Sequence, residues 1–297
     1  MKKIAVLMGG KSSEREVSLL SGRNVAEALA SLGKYEVISV DVKNESLEDM
    51  PEDVDAAYIA LHGGWGENGG VQAALNARGV PYTGPGVRAS QIAMDKIETK
   101  KVLDGCGVPT AKWAIVPAGE RSECPIPFPV VVKPPKDGSS VGISKCADAA
   151  EYGKALELAW KIDGERALVE EFIPGREFTV AVVDGTAWPV VEIVAKGGWY
   201  GYEEKYNSNE TKYPFLENCE LAAKMQALAV DAYRAVGCRG VTRIDFRVTP
   251  EGKCYVLELN TSPGFTSHSL VPKSGIHTGL TFAGVCDRIL QSAACDR

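Results

Sequence analysis

The chain has 297 residues, 45% hydrophobic and 24% charged, which describes a globular protein large enough for two or three lobes rather than a disordered chain. A formal net charge of -6 argues against a sequence-independent nucleic-acid binder, and no apolar run approaches membrane-spanning length. Eight cysteines without a CxxC pair read as reduced thiols of a cytoplasmic protein, with neither a zinc site nor a disulfide framework.

The first apolar run, residues 4–8, follows two lysines as a signal peptide would, but it stops at Gly9-Gly10 and so reads as a buried strand. Ser13 and Glu16 have capping-box spacing, which predicts a helix running to about Leu32 and stopped at Gly33. Strand, glycine turn and helix make a ligand-facing unit of an open α/β sheet. Glu14 falls in the first helical turn, where it either complements the helix dipole or receives a ligand ammonium. Residues 36–42 and 56–61 read as further buried strands, the second leading into His62-Gly63-Gly64-Trp65-Gly66-Glu67-Asn68-Gly69-Gly70. Its five glycines point to backbone that lies close to a ligand or adopts positive φ. His62 stands where α/β proteins put site residues, although a lone histidine is more often structural. A helix at 71–77 and a strand at 82–83 close a first lobe near residue 84.

One helix is predicted over 87–103, carrying Met94-Asp95-Lys96 and ending at Gly105 with Pro109 beyond. On its own Lys96 would be a solvated charge. The proline-rich stretch 117–129 reads as a loop, 130–133 as a strand, and 134–142 as a Gly/Ser-rich turn. Such a turn can drape N–H groups over phosphates, with Lys133 as a point charge. It is not GxxxxGK[ST], which disfavours a P-loop NTPase. Asp148 and Glu151 cap a helix to about Ile162, and a strand over 167–173 would offer edge backbone to an adenine with a carboxylate for the exocyclic amine. Residues 178–183 and 188–194 form a hairpin about Asp184-Gly185. Residues 196–215 lack apolar periodicity yet hold six aromatics, and a loop of that length in a compact protein is usually a functional lid. A helix over 221–236 stops at Gly237.

The chemistry concentrates in residues 243–270. Arg243, Asp245 and Arg247 alternate with Ile244, Phe246 and Val248, so the polar three share one face of a strand. Residues 249–253 form a turn and 254–260 the returning strand. An even loop centred on Glu251-Gly252 pairs Asp245 with Glu258 and Arg243 with Asn260, whereas a three- or five-residue loop shifts that register. Two carboxylates so placed repel by about 3 kcal/mol at ~5 Å and an effective dielectric of about 20, which a divalent cation would offset. Asp, Glu and Asn supply hard oxygens suited to Mg²⁺, an ion that commonly takes phosphate oxygens as further ligands. An exposed hairpin with solvated charges is the alternative. A closing helix is predicted over 280–290.

Nine pieces occur in order along the chain: GGKSSEREVSL, ALHGGWGENG, YTGPG, MDK, VKPPKDGSSVGISK, VEEFIPGREFTV, EEKYNSNETKY, RIDF and LELNTSPGFTSHSLVP. Together they resemble D-alanine:D-alanine ligases of the ATP-grasp superfamily over essentially the whole chain. The resemblance implies an α/β ATP-grasp fold of three lobes: an N-terminal open α/β sheet domain (1–84), a central ATP-clamping domain (85–173) and a C-terminal magnesium and substrate domain (174–297). The implied activity is ATP-dependent joining of two D-alanines through a D-alanyl phosphate for peptidoglycan precursor synthesis. With it come two Mg²⁺ ions, replaceable by Mn²⁺, no nucleic-acid or membrane partner, and a homodimer as the candidate assembly.

By the same resemblance, Asp245, Glu258 and Asn260 would bind the metal, and Lys96, Lys133, Ser139 and Ser140 the phosphates. Glu170, the backbone near Ile173, and Glu177 would bind adenine and ribose. Glu14, with His62 nearby, would hold the ammonium of the first D-alanine; Lys205 and Ser269, with Leu270 beside it, would hold the carboxylate of the second. Arg243 and the Gly264 N–H would stabilise the oxyanion, and Glu14, Ser139 and Tyr206 would form a hydrogen-bonded chain linking the lobes. The chain departs from the family pattern in a shorter 117–129 segment, in Glu171 where lysine is frequent, and in Thr242 where glycine is common. Ligases that take D-lactate or D-serine second are the near alternatives, but Glu204-Lys205-Tyr206 resembles the dipeptide enzymes. An inactive nucleotide-binding protein of the same fold is opposed by intact Asp245, Glu258, Asn260 and Arg243, and an NAD-dependent oxidoreductase by the absence of GxGxxG.

Overall fold

The computed structural model describes residues 1–120, 123–138, 141–195, 210–217 and 219–296. The chain opens with β1 (Lys2–Gly9), α1 (Arg15–Ser31), β2 (Tyr35–Val42) and β3 (Ala56–Ile59), whose strands form a parallel sheet in the order β2-β1-β3. Ile4, Val6 and Met8 pack against Val25 and Leu29 of α1, while Ala5 and Leu7 face Val71 and Leu75 of α2 (Gly70–Ala77). Both faces of β1 are therefore covered, the condition under which a strand reads as an unbroken apolar run. Close approach of α1 depends on Gly22, where a Cβ would come within 2.4 Å of Met8 Cβ.

The capping box expected at Ser13 and Glu16 does not form. Glu14 occupies the N-cap position of α1 with no side-chain cap, and Ser12 does the local polar work. Its Oγ donates to the His62 carbonyl at 2.6 Å and accepts from the Glu14 N–H at 3.2 Å. The chain leaves β1 through Gly9 and Gly10, both at positive φ, and that turn sends Ser12 toward the end of β3.

Next come α3 (Val87–Met94), α4 (Lys96–Gly105), β4 (Trp113–Pro117), β5 (Val130–Lys133), β6 (Ser144–Cys146), α5 (Ala149–Asp163) and β7 (Arg166–Glu171). The single helix expected over 87–103 is thus two. Asp95 between them is extended, and its Oδ1 caps α4 by accepting from the Ile97 and Glu98 N–H groups at 2.9 and 3.3 Å. Its Oδ2 meets Arg166 at 3.0 Å, so a cap and a long-range ion pair replace one continuous helical turn. Capping of α5 is as expected, with Asp148 accepting from Ala150 and Glu151. The strands form an antiparallel sheet in the order β4-β7-β5-β6. This corrects the expectation of an edge strand at 167–173: β7 is interior, and its backbone groups are used within the sheet.

The remainder comprises β8 (Arg176–Val183), β9 (Thr186–Ala187), β10 (Val190–Ile193), β11 (Phe215–Leu216), α6 (Glu220–Val236), β12 (Val241–Val248), β13 (Cys254–Asn260), α7 (Leu270–His277) and α8 (Phe282–Leu290). Its sheet runs β11-β10-β8-β12-β13, with β9 on β8. The turn at Asp184-Gly185 has φ of 49° and 73°, the positive pair that a tight hairpin needs. Helix α7 was not anticipated; its Pro272 sits in the first turn, where a missing N–H breaks no helical bond. Ala89, Ala93 and Leu103 of α3 and α4 share a core with α6, β8, β12 and β13, whereas α5 packs with β5 and β7. Of the segment expected to be a lid, residues 196–209 lie outside the described residues, and with them Lys205 and Tyr206; so do Ser139 and Ser140. No described helix is long and apolar enough to cross a membrane.

Candidate active site

The hairpin β12-β13 pairs Asp245 with Glu258 and Arg243 with Asn260, as expected, but by a different route. Near the turn Val248 pairs with Cys254 and Phe246 with Val256, the register of a five-residue connection. A bulge between Asp245 and Phe246 then shifts the pairing by one and brings the two carboxylates opposite each other. Cations of the chain offset part of their repulsion. Arg243 donates from Nε and Nη2 to the two oxygens of Asp245 at 2.9 and 2.7 Å, and Lys96 Nζ stands 3.8 Å from Glu258. Thr179 donates to Asp245 at 2.6 Å, and Asn260 Oδ1 accepts from the Ser262 N–H at 3.0 Å. The donors are hard oxygens of the kind Mg²⁺ prefers. Among the described residues no group of three or more His, Cys, Asp or Glu could hold a metal, so a divalent ion here would draw its remaining ligands from Asn260, water or phosphate.

Between the second and third sheets lies a cleft whose walls include Lys133, Glu170, Ile173, Glu177, Asp245 and Glu258. Arg247 pairs with Glu177 at 3.2 Å. Glu170 is 2% exposed and sits between two lysines, Lys133 on Oε2 and Lys100 on Oε1. Burial alone would raise its carboxyl, but Lys100 and then Lys133 outweigh it and hold it at about 2. Burial lowers Lys100, with Glu170 opposing; we read the cluster as ionised, because both lysines stand at ion-pair distance from the one buried carboxylate. Oε1 is closed off from solvent and faces Lys100, behind the cleft wall. Lys96 ties the Gly/Ser-rich turn down: its N–H donates to the Pro135 carbonyl at 2.9 Å and its Nζ to that of Asp137 at 2.6 Å. Lys100 was missed in the sequence, although its position four residues after Lys96 puts both on one helix face.

At the other end of the site, Glu14 reaches Gly63, where a Cβ would stand 2.9 Å from its Oε2. His62 is buried, and burial lowers its pKa, so the ring is neutral. Its Nδ1–H donates to the Ser262 carbonyl at 3.0 Å, the only role a carbonyl allows, and its Nε2 accepts from Ser21 Oγ at 3.1 Å. Ser21 Oγ also accepts from the Phe265 N–H at 3.1 Å. Both ring nitrogens are thus committed to joining α1, the end of β3 and the loop after β13. Gly264 belongs to that loop, and a Cβ there would lie 2.9 Å from Ser269 Oγ and 3.9 Å from His62 Nε2. Ser269 Oγ accepts from the Thr266 N–H at 2.8 Å. The Leu270 side chain is buried with Val191 and Ile193, which leaves only its backbone to meet a ligand.

Glu67 was also missed. Burial, and next the charge of Glu14, push its carboxyl up to about 8, so it is protonated at neutral pH although 16% of the side chain is exposed. The signal was present: it is the only acid in the five-glycine loop.

Profiles described as D-ala D-ala ligase C-terminus and D-ala D-ala ligase N-terminus match residues 102–291 and 3–48. The D-alanine–D-alanine ligase of Syntrophotalea carbinolica is 44% identical over 299 residues, covering 99% of this chain and 96% of that protein. That of Bordetella pertussis is 45% identical, covering 99% and 95%. Among solved structures, the D-alanine–D-alanine ligase from Bacillus anthracis complexed with ATP matches with a TM-score of 0.88 at 31% identity, over 98% and 97% of the two chains. The VanG D-Ala:D-Ser ligase from Enterococcus faecalis matches with a TM-score of 0.86 at 30% identity, over 98% of each. With similarity of this degree along nearly its whole length, the chain belongs to the D-alanine–D-alanine ligase family, ATP-dependent ligases of the ATP-grasp fold.

Proposed function

We propose that this chain joins two D-alanines into D-alanyl-D-alanine for peptidoglycan precursor synthesis, converting ATP to ADP and phosphate. The observation that carries the reading is the convergence of Lys133, Glu170, Asp245 and Glu258 on one cleft between two sheets. Lys96 and Lys133 neutralise the triphosphate, with Ser139 and Ser140 contributing from the Gly/Ser-rich turn. Glu170 and the backbone at Ile173 take the adenine, and Glu177 the ribose hydroxyls. Asp245, Glu258 and Asn260 would hold Mg²⁺, which when bound supplies charge neutralisation at the phosphate oxygens.

Transfer of the γ-phosphoryl group to the carboxylate of the first D-alanine releases ADP and forms an acyl phosphate. The amine of the second D-alanine then attacks the carbonyl carbon, loses a proton and displaces phosphate. Glu14 orients the first ammonium, Lys205 and Ser269 the second carboxylate, and Arg243 with the Gly264 N–H stabilises the oxyanion. Donors preorganised for that developing charge, together with positioning, supply most of the rate enhancement. The division into lobes at 1–84, 85–173 and 174–297, the linking chain Glu14-Ser139-Tyr206, a cytoplasmic location and a homodimer belong to the same proposal. ADP release with and without D-alanine, with the dipeptide identified by mass, is the test. L-alanine should not substitute, because exchanging hydrogen and methyl at Cα misplaces one of the groups the site must fix. Equal turnover with L-alanine, or ATP hydrolysis without dipeptide, would refute the reading.

A further inference from the structure

Lys100 reaches the cleft only through another residue. It lies one turn after Lys96 on α4, is 2% exposed, and forms no part of the cleft wall. Its ammonium has three protons and three acceptors: Thr110 Oγ1 at 2.6 Å, the Ala111 carbonyl at 3.2 Å, and Glu170 Oε1. Thr110 donates in turn to the Val256 carbonyl of β13 at 2.9 Å, so Lys100 is anchored to both sheets that flank the cleft. Lys133, which does line the cleft, holds Glu170 Oε2. One carboxylate between two ammoniums leaves an excess positive charge beside the space a polyphosphate would enter.

We propose that Lys100 is a positioning residue of the nucleotide site, a fixed counter-charge that keeps Glu170 in place when Lys133 turns from it to the phosphates. This rests on the ATP reading given above. Lys133 cannot direct the same protons at a phosphate and at Glu170, and a buried carboxylate stripped of its partner is strongly unfavourable. Lys100 has no route to the ligand and therefore stays with Glu170. The consequence is purine discrimination. A charged Glu170 accepts from a 6-amino group, whereas a 6-oxo group would set acceptor against acceptor.

The test is equilibrium binding of ATP and ITP by calorimetry without D-alanine, alongside kcat and KM, for wild type, Lys100→Met, Glu170→Gln and the double variant. Lys100→Met should weaken ATP about tenfold or more in Kd and KM, change kcat by less than about threefold, and erode the preference for ATP over ITP. In Glu170→Gln the neutral amide requires no counter-charge, so adding Lys100→Met should alter ATP binding less than about twofold. The double variant removes both members of the Lys100–Glu170 pair and so orphans neither charge, which keeps the comparison available should Lys100→Met alone fail to fold. Additive effects in the double variant overturn the proposal. So does a Lys100→Met enzyme with lower kcat and melting temperature but wild-type Kd and nucleotide preference. A wild-type protein that does not bind ATP would instead bring down the ligase reading, and this proposal with it.

Discussion

Replacing Glu258 by glutamine separates a metal-binding role from a structural one, because the change is nearly isosteric and removes one negative charge. In the fold two effects oppose each other. Losing the attraction to Lys96 at 3.8 Å would cost about 4 kcal/mol at an effective dielectric of about 20, but the Glu258 side chain is 34% exposed and solvent screening reduces this to about 1 kcal/mol. Relief of the repulsion from Asp245, directly opposite in the ladder, offsets a similar amount. Stability should therefore stay within about 1 kcal/mol of wild type. Toward a divalent cation there is no such compensation. Loss of one anionic ligand should remove about 3–4 kcal/mol of transition-state stabilisation, or roughly 10²–10³ in kcat. The assay is ADP release across a magnesium titration, with circular dichroism melting as the folding control. Turnover within about threefold of wild type at low magnesium would remove Glu258 from the ligand set and refute the reasoning.

Further predictions follow from other parts of the structure. Gly22→Ala should destabilise by about 1–3 kcal/mol, since its Cβ would stand 2.4 Å from Met8 Cβ and α1 must shift from β1; an unchanged melting temperature would contradict this. Asp95→Ala should cost about 1–2 kcal/mol through loss of the α4 cap and the Arg166 pair, and should raise the KM for ATP by freeing the segment that holds Lys96; a wild-type KM would break the link between cap and site. For Glu67 the folded protein binds a proton that the unfolded chain has released between pH 4.5 and about 8, so wild-type stability falls as pH rises through that window. Glu67→Gln should match wild type near pH 5 and exceed it near pH 8 by about 2–3 kcal/mol, less than the full shift implies because the side chain is 16% exposed; a pH-independent difference between the two proteins would exclude the buried proton.

Much of the architecture was legible without coordinates because its signals are local. The unbroken apolar run of β1 required cover on both faces, Asp184-Gly185 dictated a tight hairpin, Asp148 announced α5, and the alternation from Arg243 to Val248 put Arg243 and Asp245 on one face. The ordered motifs likewise pointed to the family. What escaped was decided by partners distant along the chain. Asp95 breaks a helix that periodicity would have continued, because Arg166, 71 residues away, shares its carboxylate. Ser12 rather than Ser13 serves the start of α1 because the His62 carbonyl lies within its reach. The facing carboxylates depend on a bulge that cancels the offset of a five-residue turn, and no local pattern encodes a bulge. Lys100 and Glu67 carry ordinary charges in the sequence; only packing made one a buried counter-ion and the other a protonated acid, since desolvation and the charges that answer it arise when separate elements close around a side chain.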